Sequence, residues 1–426
     1  MPGHGKQNVV RFTEMIQPYP QTVSRWIVQL GVCGLLVTMA IPCWAGGLYI
    51  SENGTTTQGV AGAGSLAYAN DASTAWLNPA GMTRLSDNEI QVTAGLLFGD
   101  IQFEQDSTTP VAGGNGGNAA QPAPILGFSY AHSFTERLKG GFALGSIAGA
   151  GLDYGNSWAG RQQATKVKMI TITAAPSLAY RLLDWLSVGA QLQVSYGRLD
   201  PFKLKAPNPA QSTITIDGDD WVAGYSMGTL IEFSERTRLG IKYQSKNEFK
   251  FDGDLKVSGG MLGGGSFSSD TTILLPQFVE GSLYHEINDQ FAVLATANWE
   301  DWSDFGNIPI STAMGSIAIP RNWRDTFKLA GGLHYRPTPL WLLQVGFAYD
   351  SRPVGATDRT ADMPMDRQFR YAVGAQHQYS ETLSVGMALE YLDMGKAKIN
   401  NSTQLIGDYK RTDLFFVSFN GNFKLL

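Results

Sequence analysis

The chain has 426 residues, of which only 16% are charged and 43% are hydrophobic, and its formal net charge is −5. Glycine accounts for 49 residues, well above its usual share of about 7%, yet the mean hydropathy is only −0.11. A helical membrane protein of this size would have a clearly positive mean hydropathy, and a soluble enzyme would carry more charge. Low charge with alternating apolar and polar residues is typical of a transmembrane β-barrel.

The longest apolar run lies near the start of the chain, from Trp26 to Ile41. Arg25 precedes it and Cys43-Trp44-Ala45 follows it, which is the order of a secretory signal peptide. The run is shorter than the ~20 residues that a spanning helix needs. The sequence therefore predicts a signal peptide over residues 1–45.

Both cysteines of the chain, Cys33 and Cys43, lie inside this predicted signal peptide. The mature protein would therefore contain no thiol, which excludes disulfides, zinc–thiolate sites and cysteine nucleophiles. The mature chain stays acidic, so its charge does not indicate nucleic-acid binding. The sequence indicates no metal site, no cofactor and no catalytic residue.

Residues 46–87 are small and polar and do not resemble a strand. The run Gly59–Gly64 superficially resembles a dinucleotide-binding loop, but that motif needs a preceding strand in a βαβ unit. The sequence Asn78-Pro79-Ala80 favours a turn. A compact segment ahead of a barrel is either a periplasmic tail or a plug, and a wide barrel has room for a plug.

The rest of the chain alternates apolar and polar residues with a period of two, which is typical of strands. One example has Val385, Met387 and Leu389 alternating with Gly386 and Ala388. A soluble β-sandwich shows the same alternation, so the spacing of the segments has to decide between the two.

Fourteen strands are predicted, and the gaps between them alternate between long and short. Short periplasmic turns and long external loops in alternation are typical of an outer-membrane barrel, and an even number of strands leaves both ends on the periplasmic side. The predicted strands are 89–103, 124–133, 139–150, 167–180, 186–203, 221–233, 237–246, 273–285, 291–302, 325–335, 341–349, 369–378, 383–394 and 413–424.

Aromatic residues cluster near the predicted strand ends, where they would form girdles at the membrane interfaces. The alternative is that they belong to an apolar core. The residues concerned are Trp299, Trp302, Phe305, Trp323, Trp341, Tyr371 and Tyr379.

An ordered series of short motifs over the whole mature chain resembles the long-chain fatty acid transporters of the FadL type. The stretch Gly59–Ala80 is similar to the luminal hatch of that family. The later motifs are Trp158-Ala159-Gly160-Arg161, Leu178-Ala179-Tyr180-Arg181, Thr237-Arg238-Leu239-Gly240, Trp302-Ser303, Trp323-Arg324-Asp325-Thr326 and Tyr349-Asp350-Ser351. The final residues, Phe423–Leu426, and the glycine-rich loops 104–123 and 247–272 depart from the family pattern.

The resemblance implies an all-β fold: a monomeric, 14-stranded antiparallel transmembrane β-barrel over residues 88–426 with an N-terminal luminal hatch over residues 46–87. It implies a place in the outer membrane of a Gram-negative bacterium, among outer-membrane lipid and lipopolysaccharide, after insertion by the barrel assembly machinery. It also implies uptake of a long-chain fatty acid or another hydrophobic small molecule, released sideways when the hatch rearranges. Aromatic hydrocarbons are the alternative cargo.

The resemblance also suggests residues that contact the cargo. Lys203 and Arg324 lie where the family has basic pocket residues, and a buried carboxylate needs such a partner. Arg198 lies nearby, and Phe202 and Leu204 are candidate apolar contacts. The alternative for the basic residues is ordinary charge that faces the lumen or lipopolysaccharide.

The hatch motif would be Asn78, Pro79 and Ala80, because proline fixes φ and asparagine can bond to its own backbone. Its alternative is a plain turn before the first strand.

Two other classes of outer-membrane protein remain open as alternatives. A general porin would need a charged, open lumen, whereas the predicted inward faces are mostly Gly, Ala, Ser and Gln. An outer-membrane hydrolase would need a Ser/His or Asp/His cluster. His132, His285, His334 and His377 each lie alone in a strand pattern, so we expect no enzyme.

Overall fold

The computed structural model describes residues 54–207, 210–262, 264–312 and 315–425. The predicted signal peptide and residues 46–53 lie outside this part of the chain. The described strands form one antiparallel sheet that closes on itself. The last strand pairs with the first along almost its whole length, from Asn88 opposite Leu425 to Gln105 opposite Gly407.

Twenty strands are labelled in chain order. They are β1 (Asn88–Gln105), β2 (Ala123–Ser133), β3 (Leu138–Gly145), β4 (Gly149–Asp153), β5 (Lys166–Leu183), β6 (Leu186–Lys205), β7 (Thr213–Ser234), β8 (Thr237–Gln244), β9 (Asn247–Ser258), β10 (Gly265–Leu275), β11 (Phe278–Glu286), β12 (Phe291–Glu300), β13 (Asn307–Thr312), β14 (Gly315–Pro320), β15 (Thr326–Thr338), β16 (Trp341–Asp350), β17 (Gln368–Gln378), β18 (Leu383–Asp393), β19 (Ile399–Asn401) and β20 (Leu405–Leu425).

These strands make a barrel of fourteen wall segments within the described residues. Three segments are interrupted, so that β3 with β4, β8 with β9, and β10 with β11 each cross the wall once. β13, β14 and β19 are additions beyond the wall. The predicted 14-stranded antiparallel barrel is confirmed.

The two faces of the wall differ in the way that the period-two pattern predicts. On β18, Val385, Met387 and Leu389 point outwards and are 43%, 38% and 42% exposed, whereas Ala388 and Glu390 point into the lumen and are buried. An apolar outer face suits a wall whose outer surroundings are lipid. The lumen face carries small and polar residues because it packs against other parts of the chain and against water.

Two predicted loops are wrong. Residues 204–220 and 247–272 were expected to be irregular, but β6 and β7 extend into the first, and β9 and β10 form a hairpin in the second. β9 pairs with β7 from Thr213 opposite Ser258 to Asp219 opposite Asp252. β9 does alternate, with Phe249 and Phe251 buried and Glu248 and Lys250 exposed. Its exposed face is charged where a lipid-facing strand is apolar, so it does not match the pattern of a membrane-spanning wall strand.

The aromatic girdle is confirmed in part. Trp299, Trp341, Tyr371 and Tyr379 are exposed on the outer surface, but Trp302, Phe305 and Trp323 are buried. The Trp323 ring lies 5.0 Å from Trp302 and 4.8 Å from Phe305. The reason is that residues within the 303–324 connection, including Ile308 and Ile310, pack with them into one buried cluster, so these three side chains form part of an apolar core.

Helices are short in the described residues. Gln58–Val60, Pro79–Arg84 and Trp302–Phe305 are 3-10 helices, and Thr74–Leu77 is a single α-helical turn. No helix in this part of the chain is long and apolar enough to span a bilayer.

Candidate transport path

Residues 54–85, called the lumen segment below, lie inside the barrel and are almost entirely buried. Polar side chains of the wall reach in to the backbone oxygens of this segment. Gln191 donates to Ala75 O at 2.6 Å, Arg181 to Thr83 O at 2.7 Å, Gln344 to Thr56 O at 2.9 Å and Arg238 to Ala67 O at 3.0 Å. An irregular backbone buried away from water needs partners of this kind.

Glycines of the wall let the lumen segment approach closely. A Cβ atom at Gly189 would lie 2.5 Å from Ala80 N, and Cβ atoms at Gly228, Gly240 and Gly346 would overlap Asn78, Leu66 and Val60. Glycine within a strand commonly marks such an approach by another backbone. Some of the many glycines of the chain therefore lie at wall positions where a larger side chain would collide with the lumen segment.

Asn78 joins the lumen segment to the wall. Its side-chain amide donates to Leu66 O at 2.9 Å and to Thr229 O at 3.0 Å, and its side-chain oxygen accepts from Ala80 N at 3.2 Å. Pro79 follows as the first residue of a 3-10 helix, where its missing N–H is of no consequence. The three residues of the predicted hatch motif thus form one bend that is held against β7.

The lumen segment separates two cavities, the first with a mixed apolar and charged lining and the second with a mainly polar one. A cavity of about 150 Å³ lies on the side of the long loops and is lined by charged side chains that include Lys242, Glu300, Lys328 and Arg370. A cavity of about 220 Å³ lies on the side of the short turns. With the lumen segment in this position, the lumen is not an open channel.

A third, apolar cavity of about 40 Å³ lies under the long loops. Its only charged lining residues among those described are Arg321 and Asp362, which form a two-bond ion pair at 3.1 and 2.6 Å. Burial raises the pKa of the Asp362 carboxyl, but the charge of Arg321 and hydrogen bonds from Arg321 and Thr360 outweigh burial and hold that pKa below its ordinary value.

The wall has a break between β2 and the β3–β4 segment. Pairing ends with Phe128 opposite Leu144 and resumes at a single bridge between Ala120 and Leu152. Within the described chain, no ladder joins residues 121–127 to 145–151. We call this break the wall window.

Thr171 of β5 holds one edge of the wall window. Its hydroxyl accepts from Ala148 N at 3.0 Å and donates to Ala148 O at 2.6 Å. These bonds draw residues 146–148 towards β5 and away from β2. Trp76 of the lumen segment lies just inside the window, since a Cβ atom at Gly145 would be 3.2 Å from its ring.

The predicted cargo residues fall into two groups. Phe202 lines the apolar cavity and Leu204 packs against the same core. Lys203 alternates to the opposite face of β6, Arg198 pairs with Asp200 at 2.9 Å on the surface, and the Arg324 side chain is exposed. The structure does not bring these three basic residues together at the cavity, and their role as carboxylate partners stays a prediction.

Sequence reasoning missed the ion pair at the apolar cavity. Arg321 is three residues before the Arg324 that the motif suggested, and Asp362 is 41 positions away from Arg321. No local pattern links two such residues, because a loop fold brings them together. In the described part of the chain, no group of three or more His, Cys, Asp or Glu side chains could hold a metal ion.

A closed barrel with a blocked lumen and a broken wall defines a class of protein, the plugged outer-membrane transport barrels. Residues 36–416 match the model of the family described as "Outer membrane protein transport protein (OMPP1/FadL/TodX)". The chain belongs to this family, whose members are transporters and channels. It is therefore an outer-membrane transporter of hydrophobic compounds in a Gram-negative bacterium.

Individual relatives are distant but are matched along most of their length. The long-chain fatty acid transport protein of Salmonella typhi is 24% identical over 91% of this chain and 97% of that protein, and the 47 kDa outer membrane protein of Pasteurella multocida is 27% identical over 84% and 89%. The crystal structure of a Pseudomonas aeruginosa FadL homologue has a TM-score of 0.82 at 21% identity, covering 89% of this chain and 100% of that one. The Pseudomonas putida toluene transporter TodX has a TM-score of 0.68 at 15% identity, covering 89% and 98%.

Proposed function

We propose that this protein takes up long-chain fatty acids or other hydrophobic molecules, and that its cargo leaves sideways through the wall window into the outer membrane. One end of the cargo binds first in the apolar cavity beside Phe202. It then passes the lumen once the lumen segment moves, which makes that segment a hatch. Aromatic hydrocarbons are the alternative cargo for the same path.

The observation that carries this proposal is the wall window with Trp76 at its inner edge. An outer-membrane barrel gains nothing in stability from a gap in its wall, because backbone groups facing lipid need partners. A hydrophobic molecule that leaves through the wall enters lipid and avoids the aqueous periplasm, which is the favourable direction. A water-filled pore along the barrel axis would serve polar solutes better.

The contacts of the lumen segment with the wall are compatible with movement of the segment. Many of its contacts with the wall are hydrogen bonds from side chains to backbone oxygens, and several wall positions that face it are glycines. Such hydrogen bonds can be exchanged for water one at a time. The segment also packs apolar side chains, including Val60 and Tyr68, against wall residues such as Leu294, and its movement has to separate these contacts as well. The bend at Asn78-Pro79-Ala80 is the fixed point about which we propose that the segment moves.

The test is to bridge the wall window and to measure uptake. The described chain contains no cysteine, so Leu126→Cys with Ser146→Cys gives one reactive pair across the window. Since Ser146 also bonds to Thr171 and to Ala148 O, the unbridged double variant is the baseline for the bridged one. A short bifunctional thiol reagent would join the two edges. Uptake of a radiolabelled hydrophobic probe by cells that lack their own transporter should then fall to the level of cells without the protein.

A matched pair controls for the chemistry. Met387→Cys with Phe419→Cys places two thiols opposite each other on the outer face of an intact ladder between β18 and β20, and bridging them should leave uptake unchanged. Full uptake through a bridged window would overturn lateral release. A steady, large conductance of the purified protein would instead favour a general porin.

A further inference from the structure

We propose that the apolar cavity selects neutral hydrophobic molecules that carry a single hydrogen-bonding group, such as an ester or an alcohol, over molecules with a free carboxylate. This inference rests on the proposed function, since it names the class of cargo for the cavity at the start of the path. It follows from the charge state and the unpaired atoms of the cavity lining.

Eleven of the fourteen lining residues are apolar, and Phe202, Leu199, Ile310 and Met169 are typical of them. The three polar residues are Thr271, Arg321 and Asp362. Because the cavity measures only about 40 Å³, it takes just one end of a cargo molecule, and its lining suits a hydrocarbon end with at most one or two polar atoms, while the rest of the chain lies outside it.

Arg321 is the one cation in the described lining, and its charge is already compensated. Both of its terminal nitrogens face the Asp362 carboxylate, and one of them also donates to Thr360 Oγ1 at 2.5 Å. The Arg321 and Asp362 side chains are only 2% and 6% exposed. An incoming carboxylate would lie beside Asp362 with no cation left to pair with it, which is unfavourable in a buried site.

The same lining holds two polar atoms without a partner. Arg321 Nε and Thr271 Oγ1 are both buried and make no hydrogen bond. Thr271 as a residue is 4% exposed. An unpaired buried donor is unfavourable, and a ligand that supplies an acceptor removes that penalty. An ester oxygen or a hydroxyl provides an acceptor without adding charge.

The test uses two probes that have the same chain, methyl laurate and laurate, with the purified full-length protein at neutral pH. Equilibrium binding of the ester should be at least about tenfold tighter than binding of the acid. Thr271→Val removes the hydroxyl at nearly constant shape, and it should weaken ester binding while leaving dodecane binding unchanged. Tighter binding of laurate than of methyl laurate to the wild-type protein would overturn the proposal.

Asp362→Asn gives a second, opposite test, because it leaves the charge of Arg321 uncompensated. Laurate should then bind about tenfold more tightly than to the wild-type protein. Asp358→Asn is the control in the same loop, since Asp358 is half-buried, does not line the cavity and bonds to Asn322, and it should behave as wild type. The proposal would be contradicted if the Asp362→Asn protein migrates as a folded barrel in gel electrophoresis but binds laurate no more tightly than the wild-type protein does.

These outcomes separate the selectivity from the proposed function. Uptake of both probes with a preference for laurate would overturn the selectivity and leave the lateral path standing. Failure of the wild-type protein to bind or take up either probe would overturn both. If the Asp362→Asn protein does not fold, the Thr271→Val comparison decides, because that substitution leaves the ion pair intact.

Discussion

Gly228 of the barrel wall lies directly against Asn78 of the lumen segment, and a Cβ atom at position 228 would overlap the Asn78 side-chain oxygen. The neighbouring Thr229 carbonyl accepts a hydrogen bond from the Asn78 amide at 3.0 Å. Gly228 thus leaves room for the Asn78 side chain, and Thr229 accepts a hydrogen bond from it. The fit of the lumen segment therefore depends on the wall as much as on the segment.

Substitution of Gly228 should open the lumen. Gly228→Val would force the Asn78 bend away from β7, so we expect a higher single-channel conductance of the purified protein in planar bilayers. Gly281→Val is the matched control, because a Cβ atom at Gly281 of β11 meets nothing within 4 Å. Equal conductance of the Gly228→Val and wild-type proteins would show that the bend does not seal the lumen.

Loss of the Asn78 amide should loosen the lumen segment without changing the barrel. Asn78→Ala leaves the Leu66 and Thr229 carbonyls without this donor, which costs about 1–3 kcal/mol for a buried group. We expect faster amide hydrogen exchange between Leu66 and Ala69 and unchanged exchange in β16 to β18. Protection of the segment at the wild-type level would contradict the account.

The wall window should depend on Thr171. Thr171→Val removes the hydroxyl that binds both the N–H and the carbonyl of Ala148, so residues 146–148 become free to pair with β2. We expect slower uptake of a hydrophobic probe by cells that carry this variant.

Thr173→Val is the control for Thr171, since Thr173 lies two residues further along the same face and bonds to Ser195 at 2.8 Å. It should leave uptake at the wild-type rate. Equal rates for both variants would mean that the Thr171 bonds do not keep the window open.

The external loops should lose stability when Trp158 is truncated. The Trp158 side chain is 1% exposed, its ring is stacked 4.1 Å from Tyr154, and its Nε1 donates to Ala164 O at 2.7 Å. Trp158→Ala should cost about 3–5 kcal/mol of stability. Limited proteolysis should then cut the 106–122 loop faster, whereas Trp221→Ala, at a site that is 67% exposed, should have no such effect.

The docking of the 351–367 loop should weaken in acid. The Arg321 charge holds the pKa of the Asp362 carboxyl below its ordinary value of about 4. A carboxyl with a lowered pKa stabilises the folded state above the unfolded-state pKa, and this stabilisation is lost as the pH falls through the lowered value. Loop proteolysis should therefore be constant from pH 7 to about pH 5 and should rise below about pH 4. The Asp362→Asn protein lacks this carboxyl, so its loop proteolysis should rise less on acidification than that of the wild-type protein.

The barrel could be predicted because its wall obeys a simple local rule. Val385, Met387 and Leu389 face lipid, so each has to be apolar, and the alternation can be read directly from the chain. The rule fails outside the membrane. The exposed face of β9 carries Glu248, Lys250 and Asp252 in place of apolar residues. Trp302 and Trp323 are drawn into an apolar core by the fold of a loop.

The candidate path was only partly predictable for a related reason. Asn78-Pro79-Ala80 could be found because it is a local motif, and Phe202 because it is apolar on a strand. Arg321 and Asp362 meet only through the folded loops, and the window arises where Thr171 binds Ala148 in place of a neighbouring strand. Contacts between residues that are far apart in the chain produce no periodic pattern in the sequence.

The measurement that tests the central claim most directly is uptake by cells that lack their own transporter, with a radiolabelled hydrophobic ester and radiolabelled sucrose compared in parallel. The protein should increase uptake of the ester, should leave uptake of sucrose at background, and should lose ester uptake when Leu126→Cys and Ser146→Cys are bridged. Increased sucrose uptake, or ester uptake that survives the bridge, would contradict a plugged barrel that releases hydrophobic cargo through its wall.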